Sequence, residues 1–125
     1  ETIKNGYLHT GDMAWKDEDG FFFLAGRAGD VYISGGENVY PAEIEKCLKT
    51  HPDIRDVAVR GEPHDTWGEC GHAFIIPRSG TCLTEKDVLA CCEGALARYK
   101  WPARISFRRT FPRTSLGKVR KADLD

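Results

Sequence analysis

The apolar residues of this 125-residue chain change period along its length, from two to 3.6 and back, in segments short enough for only a small layered mixture of strands and helices. Val31-Tyr32-Ile33 is a short β-type run. Pro41 then opens a helix where proline is tolerated, with Ile44, Cys47 and Leu48 on one face and Glu43 and Glu45 in the first turns, ending near Thr50. Ile54 to Arg60 alternates as a strand does, and His72 to Pro77 is a second, more continuously apolar strand. Thr84-Glu85-Lys86-Asp87 resembles a capping box, after which Val88, Leu89, Cys92 and Leu96 recur at helical spacing. Ile105 to Phe107 reads as a third strand, and Pro112 to Lys118 as a loop before a final short polar turn. The order predicts an α+β fold: a small three-stranded sheet with two helices packed on one face.

A β-hairpin precedes this unit. Met13 to Lys16 and Phe21 to Ala25 flank Asp17-Glu18-Asp19-Gly20, an acidic turn ending in the glycine that a tight reversal needs. Phe21, Phe22 and Phe23 put aromatics on both faces of its second strand, which two strands alone cannot bury, so other protein is expected to cover one face. The opening lacks Met and shows no helix or strand start signal, as expected of a piece of a longer protein.

With 41% hydrophobic and 30% charged residues, the chain has room for one ordinary globular domain. The net charge of −1 conceals a basic end: Lys100 to Lys121 holds eight Lys/Arg and no Asp/Glu, which suits a phosphorylated partner. Five cysteines without Cys-x-x-Cys spacing read as small apolar residues in a reducing compartment, and no apolar run approaches the roughly 18 residues of a membrane span. A cytoplasmic location is expected.

Three segments could carry chemistry. Pro112-Arg113-Thr114-Ser115-Leu116-Gly117-Lys118 is a turn whose glycine lets a long cationic side chain project toward phosphate, although it is not a P-loop, since the upstream glycine is missing and Val119 stands where Ser/Thr would meet magnesium. Tyr7-Leu8-His9-Thr10-Gly11-Asp12 would place a carboxylate on a tight turn, where it could accept two hydrogen bonds from vicinal hydroxyls such as those of ribose. Gly26-Arg27-Ala28-Gly29-Asp30 runs into Ser34-Gly35-Gly36-Glu37-Asn38-Val39-Tyr40-Pro41, where paired glycines before a helix leave room for a thin ligand. Each alone has a plainer reading, as a solvated lysine, a capped turn and an ordinary loop.

Taken together and in order, these segments resemble the adenylate-forming (AMP-binding) superfamily: acyl-CoA synthetases, adenylation domains of peptide synthetases, and luciferases. The resemblance spans nearly the whole chain and includes Ala42-Glu43-Ile44-Glu45, Trp67-Gly68-Glu69 and Tyr99-Lys100-x-Pro102. Its glycine-rich run is most similar to the acyl-CoA synthetase branch, especially fatty-acid-CoA ligases.

The resemblance implies a reaction in which a carboxylic acid, expected to be a fatty acid, and ATP form an acyl-adenylate and pyrophosphate, after which a C-terminal domain swings and CoA displaces AMP. It implies that residues 1–28 end the large N-terminal domain and residues 29–125 are the mobile C-terminal domain. By the same likeness Lys118 is the catalytic lysine, Thr10, Asp12 and Arg27 bind ATP or AMP, and Ser34, Gly35, Gly36, Glu37 and Asn38 line the CoA channel. The hinge departs from the family, which places Asp or Lys two residues after the arginine; here Gly29 holds that place, with Asp30 beside it. Mg2+ ligands and the acyl pocket are expected in the N-terminal domain, outside this chain, which alone is expected to be inactive.

Two other readings stay open. One is an adenylation domain that delivers its acyl group to a carrier protein. The other is a small nucleic-acid-binding module, because Tyr99, Trp101, Phe107 and Phe111 interleave with the basic run, although no nucleic-acid-binding motif accompanies them. No nucleic acid, no transmembrane segment and no metal site within the chain are expected; His64 and His72 read as structural or surface residues.

Overall fold

The computed structural model describes residues 2–4, 7–9, 12–16, 18–19, 22–27 and 30–124, with side chains described for 18–19 and 30–124. Two antiparallel pairs come first: β1 (Thr2–Lys4) with β2 (Tyr7–His9), and β3 (Asp12–Lys16) with β4 (Phe22–Arg27). The second pair is the expected hairpin. Its register passes from Met13 opposite Gly26 to Ala14 opposite Leu24, which leaves Ala25 as a bulge. The first pair was not foreseen, because it is only three residues to a side. Gly20 and Phe21 lie outside the described residues.

The remainder is the expected α+β unit, but its sheet has five strands rather than three. β5 (Tyr32–Ser34), β6 (Glu37–Val39), β7 (Ile54–His64), β8 (Gly68–Pro77) and β9 (Arg104–Phe107) accompany helices α1 (Pro41–Leu48) and α2 (Glu85–Cys92). β7 and β8 form a long antiparallel hairpin. The other side of β8 is shared by β5, which meets it at Ser34 opposite Gly68, and by β9, which runs parallel to it after the α2 crossover.

β7 and β8 run well beyond their clearest alternation, through Gly61, Pro63 and Gly71. Pro63 is accommodated because β7 is an edge strand, so a missing N–H there breaks no ladder. Gly61 and Gly71 are cross-strand partners, and both are required by Tyr32. A Cβ at Gly61 would sit 2.5 Å from the Tyr32 ring, and one at Gly71 would strike its hydroxyl. Tyr32 thus fills a slot cut by two glycines, 2% exposed, and burial pushes its phenol up.

Alternation divides the core in two. Val57, Val59, Ala73 and Ile75 face Ile44 and Leu48 of α1 and Val88 and Cys92 of α2. The opposite face, Ala58, Phe74 and Ile76, is closed by Phe111 and Leu124 with Val119 packed alongside. Both helices therefore lie on one face, as expected, and the C-terminal segment covers the other. α2 starts in a true capping box, in which the Thr84 N–H donates to Asp87 Oδ2 at 3.0 Å and the Asp87 N–H to Thr84 Oγ1 at 3.3 Å.

Candidate functional site

Lys118 stands near the tip of a small reversal held at its base. Arg113 bridges to Val119, the Thr114 N–H donates to the Lys118 carbonyl at 2.8 Å, and the Gly117 N–H donates to the Thr114 carbonyl at 2.9 Å. Thr114 Oγ1 accepts from the N–H groups of Leu116 and Lys118. Gly117 has φ +88°, and a Cβ there would meet nothing, so its conformation and not its size is what the turn requires. Leu116 is 86% exposed and Lys118 is exposed too, while Phe111 and Val119 on either side are packed into the core.

Arg113 fastens this reversal. One arm donates to the Gly117 carbonyl at 2.9 Å, and the other donates to Asp56 Oδ2 on β7 at 2.7 Å. Asp56 also accepts from the Val57 N–H and faces Lys49 at 3.6 Å. A second cation, Lys121, lies 2.8 Å from Glu45 Oε2 and 3.5 Å from Asp30 Oδ2, while its carbonyl accepts from Arg60 at 2.7 Å. Lys121 thus joins the residue beside the expected pivot to α1 and to the C-terminal segment. Between these groups opens a cavity of about 640 Å³, whose wall alternates Asp30, Glu45 and Asp56 with Lys49, Arg113, Lys118 and Lys121. Lys121, Asp56 and Glu45 were not among the expected site residues.

Ser34 to Asn38 is not the single loop expected. Ser34 ends β5, Glu37 and Asn38 begin β6, and only Gly35 and Gly36 form the turn between them. Their φ angles, +59° and +86°, are what a two-residue hairpin of this twist demands at both central positions. The Gly35 N–H donates to the Trp67 carbonyl at 2.9 Å, and a Cβ on Gly35 would come 3.4 Å from the indole; around Gly36 nothing among the described residues lies within 4 Å of that position. The Ile33 N–H donates to Glu69 Oε1 at 3.3 Å. Ile33 and Trp67, 52% and 55% exposed, give this turn an apolar flank.

Of the expected nucleotide-binding residues, Asp12 and Arg27 are brought directly opposite each other by the β3–β4 register. Thr10 lies outside the described residues, and so does Gly29.

Both histidines are engaged structurally. His64 Nδ1 accepts from the N–H groups of Thr66 and Trp67 and so closes the β7–β8 turn. His72, 2% exposed, contacts Glu62 Oε2 and Ser106 Oγ, each at 2.7 Å, and stacks on Phe74. Burial acts to raise the Glu62 carboxyl, but hydrogen bonds and charge from His72 and Arg60 outweigh it and hold the group below the usual carboxylate range. Among the described residues no group of three or more His, Cys, Asp or Glu side chains could hold a metal ion, and no helix is long and apolar enough to cross a membrane. Phe111 lies in the core, and the Trp101 indole N–H donates to the Leu96 carbonyl at 3.1 Å, so the interleaved aromatics do not share one exposed stacking surface.

Residues 43–118 match the profile of the AMP-binding enzyme C-terminal domain. The indoleacetate–CoA ligase of Aromatoleum aromaticum is 47% identical over 122 residues, which cover 98% of this chain and 24% of that protein. A 2-succinylbenzoate–CoA ligase of Bacillus cereus is 44% identical over 124 residues, 99% of this chain and 25% of that protein. The structure of the o-succinylbenzoate CoA synthetase of Bacillus subtilis with its acyl-adenylate OSB-AMP superposes with a TM-score of 0.91 at 34% identity, over 98% of this chain and 25% of that one. The chain spans about a quarter of the length of the relatives it matches.

Proposed function

The chain belongs to the AMP-binding enzyme C-terminal domain family, and from this membership we infer that its parent is an adenylate-forming acyl-CoA ligase, converting a carboxylic acid, ATP and CoA into acyl-CoA, AMP and pyrophosphate. In this reading Lys118 contacts the carboxylate and the α-phosphate as charge builds between them. The observation that carries it is an exposed lysine on a reversal whose base is fixed by Arg113, Asp56 and Thr114. A compact charge on a flexible stem can follow oxygens that move during in-line displacement, while a fixed base delivers it to one place.

The remaining assignments rest on the same reading. Asp12, with Arg27 opposite, takes the ribose hydroxyls and the edge of the phosphate, with Thr10 nearby in sequence. Residues 1–28 go with the large domain and 29–125 with the mobile one, which turns about Gly29 and Asp30. After the turn, the Ser34 to Asn38 hairpin faces the pantetheine arm of CoA. Mg2+ is held by parts of the parent outside this chain, which alone does not turn over, and the parent works in the cytoplasm. As acid we propose an aromatic carboxylate rather than the fatty acid suggested by the glycine-rich run, because the relatives just described are ligases of indoleacetate and succinylbenzoate.

The test is Lys118→Ala in the full-length parent, followed by acid-dependent exchange between ATP and pyrophosphate. Removing one preorganised donor costs about 10²- to 10³-fold in kcat. Exchange should fall by that order while CoA still discharges a supplied acyl-adenylate; unchanged exchange refutes the role. Run with aryl, arylacetic and fatty acids, the same assay on the natural parent decides the substrate class.

A further inference from the structure

The seam between α1 and α2 carries two cysteines that face each other. Cys47 Sγ lies 3.6 Å from the Cys91 carbonyl oxygen, and Cys91 Sγ lies 3.6 Å from the Cys47 carbonyl oxygen. Such reciprocity requires two side chains pointing across one gap. Burial pushes the Cys47 thiol up, and the Cys91 thiol adds to this through its charge and a side-chain hydrogen bond. Thr50 closes the end of the seam: its hydroxyl donates to the Cys47 carbonyl at 2.7 Å and sits 3.8 Å from Cys91 Sγ.

The other three thiols are placed differently. Cys92 faces the core with no exposure, and its thiol is pushed up to about 12 by burial; Cys70 is buried and Cys82 is exposed. Only Cys47 and Cys91 are half-buried, within reach of a small reagent and of each other.

We propose that Cys47 and Cys91 form a redox-sensitive modification site, closed by a low-molecular-weight disulfide such as oxidised glutathione into a bond that clamps α1 to α2. Cys91 loses its proton to solvent and attacks one sulfur of the reagent; the reagent's S–S bond breaks, one glutathione leaves as thiolate, and a mixed disulfide remains on Cys91. Cys47 then gives up its proton and attacks the Cys91 sulfur, forming the Cys47–Cys91 bond and releasing the second glutathione. Proximity offsets the raised Cys47 thiol in this step. The protein loses two electrons and two protons, and the reagent gains both as two thiols. The bond would close a long loop that includes β7 and β8, the case in which cross-linking restricts the unfolded chain most. The inference does not depend on the ligase reading.

The full chain is incubated with glutathione disulfide, alkylated, digested and mapped by mass spectrometry, with thermal melts before and after. Peptides containing Cys47 and Cys91 are expected to be linked to each other, neither is to retain glutathione, dithiothreitol is to separate them, and the oxidised midpoint is to rise by roughly 4 °C or more. In Cys47→Ala, checked for a cooperative melt, Cys91 should instead keep a stable glutathione adduct; Cys91→Ala provides the same control for Cys47. Unlinked peptides, glutathione retained on Cys47 or Cys91 of the natural chain, a Cys47–Cys92 link, or an unchanged midpoint would each overturn the proposal.

Discussion

Arg113 uses a single guanidinium to tie the Lys118 reversal to the sheet, one arm on the Gly117 carbonyl and one on Asp56. Its two contacts differ in kind, since Asp56 belongs to the sheet and Gly117 to the turn itself, so losing Arg113 frees Lys118 without deleting it. In the full-length parent, Arg113→Ala should lower the adenylation kcat by about 10- to 100-fold with little change in KM for ATP, since misplacement by 1 Å costs up to about 10²-fold. Arg113→Lys should recover less than half of the loss, because a lysine cannot reach both acceptors at once. Equal loss of kcat and of thermal stability in both variants would show a purely structural role. Glu62 yields a prediction about pH. Its folded carboxyl is held low, so the stability it contributes is present above the unfolded pKa and is lost as pH falls through the folded one. The gap in melting midpoint between the natural chain and Glu62→Gln should be largest above pH 5 and should shrink below about pH 4. A gap that persists undiminished at pH 3 would contradict this.

Among the elements, the glycines separate into those that make room and those that make a bend. Gly61→Ala puts a methyl into the Tyr32 ring and should cost about 3 kcal/mol by denaturant unfolding. Gly36→Asn puts bulk where nothing stands and keeps a residue that tolerates positive φ, so it should cost less than about 1 kcal/mol. In the parent it should nonetheless slow thioester formation while sparing adenylation; equal loss of both half-reactions would assign it to folding. These glycines also explain what could be read beforehand. Ile54 to Arg60 and the two helices announce themselves through period, through Pro41 at the start of α1 and through the capping box of α2, which are local signals. Gly61, Pro63 and Gly71 look like strand breakers because the reason for each is elsewhere: a tyrosine from another strand, and an edge that no described strand pairs. β6 was hidden because paired glycines read as open loop, although two positive-φ residues between three-residue strands make a hairpin just as well.

For the molecule as a whole, the site was legible where it is written linearly and invisible where it is assembled. The Pro112 to Lys118 run and the Gly35-Gly36 pair stand out in one dimension. Asp56, Glu45 and Lys121 do not, because they become neighbours of the reversal or of Asp30 only when β7, α1 and the C-terminal segment are stacked. The same stacking gives the tail a part that its polar sequence conceals. Leu124, 1% exposed, and Phe111, 4% exposed, are the lid on the second face of the sheet. Leu124→Ala should therefore cost about 2–4 kcal/mol in chemical denaturation despite its polar neighbours in sequence; a loss within 0.5 kcal/mol, typical of surface positions, would remove that residue from the core.

Lys118 thus rides between two plugs, Phe111 before it and Leu124 after it, both seated in the same hydrophobic floor. A flap hung between such anchors has little rope: it can swivel its side chain, but it cannot wander without lifting the floor itself. Any long journey by that ammonium group must be made as a passenger, with the sheet as the vehicle.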